Sequence, residues 1–547
     1  MLNFKDKVVY QIYPKSFYDT NGDGWGDLNG VTAKLDYLKE LGIDYIWLTP
    51  FFVSPQRDNG YDIADYRAVD ERFGTMADFE NLTKEAEVRG IGVMLDMVFN
   101  HTSTEHQWFK RALAGEKEFQ DYYKFVDGEP DSPPTNWVSK FGGNAWEYVP
   151  SLGKWYLHLF DVTQADLNWE NPKVRKELKD VVLFWKSKGV SGFRFDVINL
   201  ISKPDTLEDD SQGDGRRFYT DGPRVHEYLK ELVADTGIED MITVGEMSST
   251  SIDNCIKYSN PDEKELAMTF SFHHLKVDYK DGDKWSLMPY DKISFKKLFK
   301  DWQEQMTAKN GWNALFLTNH DQPRIISRFG NEDKYWKESG KLFGGLIHLM
   351  RGTPYVYQGE EIGMLNTHFT DINQYKDVES LNYYNILLEQ GKSSTEALDI
   401  INQRSRDNCR TPMQWDSSDN DGFSTGNPWI QVPKFGKAIT VESQVDDEDS
   451  ILAFYKKLIA LRKDYEIISN GDVSFDLEVP EQVVSFKRSL DGQELLVYGN
   501  LGEDDIEISL ESDLSKGKLL ISNYGENKVN LASSLILRPY ELLVVII

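Results

Sequence analysis

Eight short apolar segments between Val8 and Tyr357, most of them followed by a stretch of helical periodicity, predict an α/β chain folded as a (β/α)8 TIM barrel. Two breaks in that rhythm predict the rest. Residues 101–165 are rich in aromatics and carry a Ser-Pro-Pro turn at 132–134 and the pair Gly142-Gly143, which reads as a lobe inserted after the third strand. From Asp472 the pattern changes to short alternating strands, predicting a C-terminal antiparallel β-sandwich domain. A chain of 547 residues also exceeds one simple core. The expected division is a barrel at 1–100 and 166–471, an inserted lobe at 101–165, a subdomain at about 362–430 after strand eight, and a β domain at 472–547.

The expected barrel strands are 8–13, 45–48, 92–98, 192–198, 241–246, 268–272, 314–318 and 354–357, each a short run of apolar and β-branched or aromatic residues. Between them, apolar residues recur at helical spacing over 31–41, 76–89, 174–188, 223–234, 293–306 and 341–350, and a last helix at 451–463 closes the ring. In the C-terminal domain, 483–486, 495–498 and 542–545 read as strands.

A formal net charge of −29 argues against nucleic acid, whose phosphates demand a basic face, and against an anionic membrane surface. It leaves room for an anionic substrate, because a local cationic pocket can sit in an acidic body. Only Cys255 and Cys409 occur, far apart, so no disulfide framework is expected. The N-terminal stretch has no apolar signal core, and no run approaches the roughly 18 apolar residues of a membrane helix. The expectation is a cytoplasmic chain; nothing in the sequence sets its oligomeric state.

Chemistry in such barrels sits at the C-terminal ends of the strands. There stand Asp96, Asn100 and His101 after strand three, Arg194 and Asp196 on strand four, Glu246 at strand five, and His320 with Asp321 after strand seven. Arg194 and Asp196, two apart, share a strand face. A buried ion pair is costly unless each charge has partners or a task, so this pair reads either as a structural salt bridge or as part of a site. Three carboxylates converging with two histidines and an arginine favour the second reading. The histidine spacing fits no metal site, and no Gly-x-Ser-x-Gly elbow holds a serine nucleophile. Carboxylates without metal or cofactor suit glycoside cleavage: an ionised Asp attacks the anomeric carbon, and a Glu of raised pKa protonates the leaving oxygen. Arg194 is placed to keep Asp196 ionised. Near the N-terminus, oxygen side chains alternate with glycines over 19–27, which reads as a calcium-like loop or as an ordinary Asp/Gly turn.

DMVFNH (96–101), GFRFDVIN (192–199), VGEM (244–247) and NHDQPR (319–324) resemble the four signature regions of the α-amylase-type glycoside hydrolases, and QADLN (164–168) resembles a further region of their oligo-1,6-glucosidase branch. The resemblance implies retention of configuration, with Asp196 as nucleophile, Glu246 as acid/base and Asp321 as stabiliser of the oxocarbenium-like transition state. It implies sugar-holding roles for Asp58, Tyr61, His101, Phe160, Arg194, His320 and Arg410. No cofactor is required for the chemistry. A structural calcium ion is implied at Asp19, Asn21, Asp23, Trp25 and Asp27.

Val197, after the expected nucleophile, resembles the residue of members that cleave α-1,6 bonds, which implies a glucosidase acting on isomaltose- or dextran-type oligosaccharides. The stretches 160–172, 213–229 and 246–285 resemble instead trehalose-6-phosphate hydrolases, which implies hydrolysis of trehalose 6-phosphate to glucose and glucose 6-phosphate. A phosphorylated leaving group needs cations beside it, and Arg216, Arg217, His274, Lys276 and Lys284 are the candidates, although singly each also reads as a solvated surface charge. Some amylase-like chains are non-catalytic transporter subunits that have lost these carboxylates; this chain keeps all three.

Overall fold

The computed structural model describes residues 4–436, 438–510, 514, 517–525 and 534–547. Its centre is a ring of eight parallel strands: β1 (Val9–Ile12), β2 (Tyr45–Leu48), β3 (Gly92–Met97), β4 (Gly192–Phe195), β5 (Ile242–Glu246), β6 (Met268–Phe270), β7 (Ala314–Leu315) and β8 (Thr353–Tyr357). Hydrogen bonds run in the order β6-β5-β4-β3-β2-β1-β8-β7. A parallel bridge between Thr269 and Asn313, with Thr269 N donating to Trp312 O at 3.2 Å, joins the two ends and closes the barrel. The expected barrel is therefore present, with strands four, six and seven two or three residues shorter at their C-terminal ends than read from the sequence.

Helices form where their sequences cap and bury one face. Met76–Val88 starts in a capping box: Thr75 Oγ1 accepts from Asp78 N at 3.3 Å and Asp78 Oδ2 from Thr75 N at 2.8 Å. Pro172–Ser187 has Asn171 as N-cap and Pro at its first position, and it buries Val174, Leu178, Val181, Val182 and Trp185 along one face. Trp185 packs against Phe51, Phe52 and Phe79 on the neighbouring unit. The expected helix at 31–41 is two pieces, Leu28–Ala33 and Leu35–Leu41, broken at Lys34, whose backbone leaves the helical region. Inside the barrel, Trp47, Phe270 and Tyr355 meet edge to face or tilted at 4.6–6.1 Å, forming an aromatic floor.

Between β3 and β4 lie two short helices, the three-stranded sheet of Phe125–Asp127, Lys154–Leu157 and Trp146–Val149, and the strand pair His101–Ser103 with Gln164–Asp166. This lobe packs Trp137, Trp146 and Trp155 into one cluster with Val197, Leu200 and Tyr219, so its core continues into the chain that follows β4.

At the C-terminus, five antiparallel strands (Asp472–Asp476, Val483–Leu490, Gln493–Asn500, Leu542–Ile546 and Lys518–Ser522) face the pair Ile506–Ser509 and Ser534–Leu537. Strand alternation divides the layers: Val484, Phe486, Leu542 and Val544 join the barrel core, while Val483, Leu543 and Val545 pack with Ile508, Leu535 and Leu537 in the sandwich. Helix Trp336–Leu349 approaches this sheet so closely that a Cβ on Gly345 would collide with Leu542. Among the described residues no helix is long and apolar enough to cross a membrane.

Candidate active site

Arg194 is the hub of the barrel mouth. Its side chain is 1% exposed, its guanidinium lies 5.0 Å over the Trp47 ring, and its Nη1 donates to Asp96 Oδ1 at 2.6 Å and Asp196 Oδ1 at 2.7 Å. Nη2 meets Glu246, at the end of β5. Two carboxylates bonded to the two terminal nitrogens of one guanidinium are necessarily close neighbours, compatible with the separation of about 5 Å found in retaining glycosidases. Asp96 lies beneath them, accepting from Trp47 Nε1 and Tyr61 OH as well, and burial pushes its pKa up against the pull of Arg194. The expected strand 192–198 ends at Phe195. Asp196 N donates to Met97 O at 3.0 Å, and Val197 adopts φ 35°, ψ 40°, a left-handed conformation that β-branched residues rarely take. That turn brings Asp196 into the cleft and sets Val197 between the cleft wall and the lobe cluster.

The third carboxylate, Asp321, accepts from Arg410 Nη2 at 2.7 Å, with Arg406 Nη1 at 3.5 Å and His320 Nε2 at 3.3 Å. Burial alone would raise its pKa, but His320, Arg406 and Arg410 outweigh it and hold the carboxyl well below the usual range. Gln11 Nε2 donates to His320 Nδ1 at 2.8 Å, which places the ring proton on Nε2, facing Asp321. Burial pushes His320 down to about 3, so above that range it meets Asp321 as a neutral N–H donor, and Arg406 and Arg410 supply the charge that keeps the carboxyl ionised. Asp58 accepts from Arg406 at 2.8 Å and Gln164 at 3.0 Å, and burial raises it to about 7.

These groups open into a cleft of about 240 Å³. Of the expected residues, Asp58, Tyr61, His101, Phe160, Asp196, Glu246 and Asp321 line it, as do Lys276 and Lys284. Arg194, His320 and Arg410 do not: all three are buried behind the lining, oriented toward the carboxylates they hold rather than toward the open space.

Three of the five expected phosphate-binding residues are elsewhere engaged. His274 is buried between Phe299 and Phe316, with Nε2 bound to Phe316 O at 2.9 Å, and burial pushes it down to about 4, so it carries no charge for an anion. Arg217 turns to Asp210 at 2.9 Å and lies over Phe218. Arg216 is locked in a two-oxygen pair with Asp214.

The cleft contains instead three charged residues that the strand-end reasoning missed. Lys140, from the inserted lobe, donates to Ser248 Oγ at 3.0 Å, and burial, then Arg216 and Lys276, push its pKa down to about 7. Glu379 and Arg406 come from the segment after β8. Arg406 stands four residues before Arg410 in the same short helical stretch, the one sequence signal that could have found it.

In the loop 19–27, Asp19 accepts from the amides of Asn21, Gly22 and Gly24 and from Ser424 Oγ, Asn21 from Asp23 N, Asp23 from Trp25 N, and Asp27 from Thr20 and Gly30. The donors are hard oxygens of the kind calcium takes. Among the described residues no three acidic, histidine or cysteine side chains converge, so an ion in this loop would also draw on Asn21 and backbone carbonyl oxygens.

The sequence model of the alpha amylase catalytic domain matches residues 11–471. The chain belongs to the alpha-amylase family. Residues 483–544 match the C-terminal domain of the alpha-amylase SusG, in keeping with the antiparallel sheets there. Among alpha-amylase family proteins, the chain is 50% identical to the trehalose-6-phosphate hydrolase of Bacillus subtilis (strain 168), over 99% of this chain and 97% of that one. It is 45% identical to the oligo-1,6-glucosidase of Parageobacillus thermoglucosidasius, over 98% of both. The crystal structure of Bacillus licheniformis trehalose-6-phosphate hydrolase superposes with a TM-score of 0.94 at 51% identity, covering all of both chains.

Proposed function

We propose that the chain is a retaining α-glucosidase that hydrolyses trehalose 6-phosphate to glucose and glucose 6-phosphate. The observation that carries this reading is one cleft with Asp196 and Glu246 on the two ends of a single guanidinium and Lys140, Lys276 and Lys284 in its wall. Asp196 attacks the anomeric carbon of the unphosphorylated glucose while Glu246 gives its proton to the glycosidic oxygen, releasing glucose 6-phosphate and leaving a glucosyl ester. Glu246 then takes a proton from water, whose oxygen attacks the same carbon and frees Asp196. Asp321, kept ionised by Arg406 and Arg410, faces the positive charge that develops on the ring. The relatives named trehalose-6-phosphate hydrolase support this reading.

A second reading, an oligo-1,6-glucosidase, is favoured by Val197 in the cleft wall beside Asp196 and by the relative of that name. Comparing kcat/KM on trehalose 6-phosphate, trehalose and isomaltose separates them. The first reading expects trehalose 6-phosphate to lead by about two orders of magnitude, the worth of one or two charge-assisted contacts; an isomaltose preference hands the assignment to the second.

Two further expectations belong to the same proposal. The free thiols Cys255 and Cys409 fit a reducing cytoplasm. A calcium ion in the loop 19–27 would stabilise rather than react, so millimolar calcium is expected to raise the melting temperature by a few degrees, about 2 °C or more, and a chelator to reverse it. Identical melting curves in both would remove the ion.

A further inference from the structure

Glu379 is a carboxylate in the wall of a cleft proposed to take a phosphate, where like charge repels the ligand. Its place is not accidental slack in a loop. It is the second residue of the helix Val378–Glu389, whose N-cap, Asp377, accepts from the amides of Glu379 and Ser380 and is clamped by Arg406 at 2.5 Å and Arg410 at 3.6 Å. From this fixed point Glu379 Oε2 reaches Lys284 Nζ at 2.7 Å and Arg406 Nε at 3.5 Å. The lysine is held by the same helix. Lys284 lies 4.9 Å from the Trp285 ring centroid, and Trp285 stacks at 4.5 Å on Tyr383, one turn beyond Glu379. Of the three lysines in the cleft, Lys284 alone carries an ion pair among the described residues. Lys140 is tied to a hydroxyl instead.

We propose that Glu379 is a built-in counter-anion of the cleft: it occupies the Lys284 ammonium in competition with phosphate-bearing ligands and so sets how tightly they are held and how readily they leave. The idea rests on the phosphate reading given above. An ammonium has three donors and can touch both anions, but the phosphate then shares Lys284 with a carboxylate that already neutralises it. Hydrolysis leaves glucose 6-phosphate on the cationic side of the cleft, where Glu379 competes with it for Lys284 and favours its release.

The test is inhibition by inorganic phosphate and by glucose 6-phosphate of the hydrolysis of a neutral aryl α-glucoside, in the unmodified enzyme and in Glu379→Gln. The amide keeps the shape and loses the charge. The inhibition constants of both anions are expected to fall about tenfold or more, as removal of a juxtaposed like charge predicts, while that of glucose shifts far less. In a Lys284→Met background the same substitution is expected to change them little, because the cation in dispute is gone. Should Glu379→Gln lose turnover, calorimetric titration with inorganic phosphate gives the same readout. Anion constants that stay put or rise, or that shift in step with the constant for glucose, overturn the proposal and leave Glu379 a support for Arg406. Failure to hydrolyse trehalose 6-phosphate would be seen in the unmodified enzyme and would count against the substrate assignment, independently of the phosphate titration.

Discussion

Asp196→Asn is expected to lower kcat on every glucoside by about four orders of magnitude or more, the scale of losing a covalent nucleophile. The amide keeps the size of the side chain and its contact with Arg194, and Asp96 and Glu246 still neutralise the guanidinium, so the fold should survive. Glu246→Gln is expected to behave differently. With a leaving group that needs no proton, such as a nitrophenolate, the first step should persist and the second should stall, because the base that activates water is missing. A burst of nitrophenol followed by slow turnover, and a protein heavier by one glucosyl unit in the mass spectrum, are the expected signs. Activity of Asp196→Asn within tenfold of the unmodified enzyme would dismantle the double-displacement assignment, and a burst in that variant would do the same.

The residues in that prediction were legible in the sequence for a physical reason. A barrel strand is an apolar run, and a charge at its end has to justify its burial; Asp196, Glu246 and the pair His320-Asp321 stand out against such runs. Residues carried by long connections do not. Lys140 lies in a lobe whose direction of folding no local pattern reveals, and it reaches the cleft because Trp137 and Trp146 pack onto the chain after β4. Glu379 and Arg406 arrive from the segment after β8 in the same way. His274 shows the converse. Its cationic appearance in the sequence dissolves once the ring is found between Phe299 and Phe316, where burial removes the charge that made it a candidate. The linear text ranks charges by type, whereas a phosphate selects them by burial and by what else they already touch.

The same logic gives Lys140 and Lys276 the second large effect. Changing either to Met is expected to lower kcat/KM for trehalose 6-phosphate relative to trehalose by about 10- to 100-fold, the range of one charge-assisted hydrogen bond. Lys140 adds a pH signature. Burial, with Arg216 and Lys276 nearby, pushes its pKa down to about 7, against the upward pull of Asp214 and Asp166. It is therefore charged below about pH 7 and progressively neutral above it, while a phosphate monoester gains its second charge near about pH 6. The ratio of kcat/KM for trehalose 6-phosphate to that for trehalose, which cancels ionisations common to both, should rise through about pH 6 and fall above about pH 7. Arg keeps its charge across this range, so Lys140→Arg should remove the alkaline fall while Lys140→Met lowers the plateau. An alkaline limb that persists unchanged in Lys140→Arg would mean that another group titrates there, and that the lobe lysine, for all its nearness to Ser248, does not meet the phosphate.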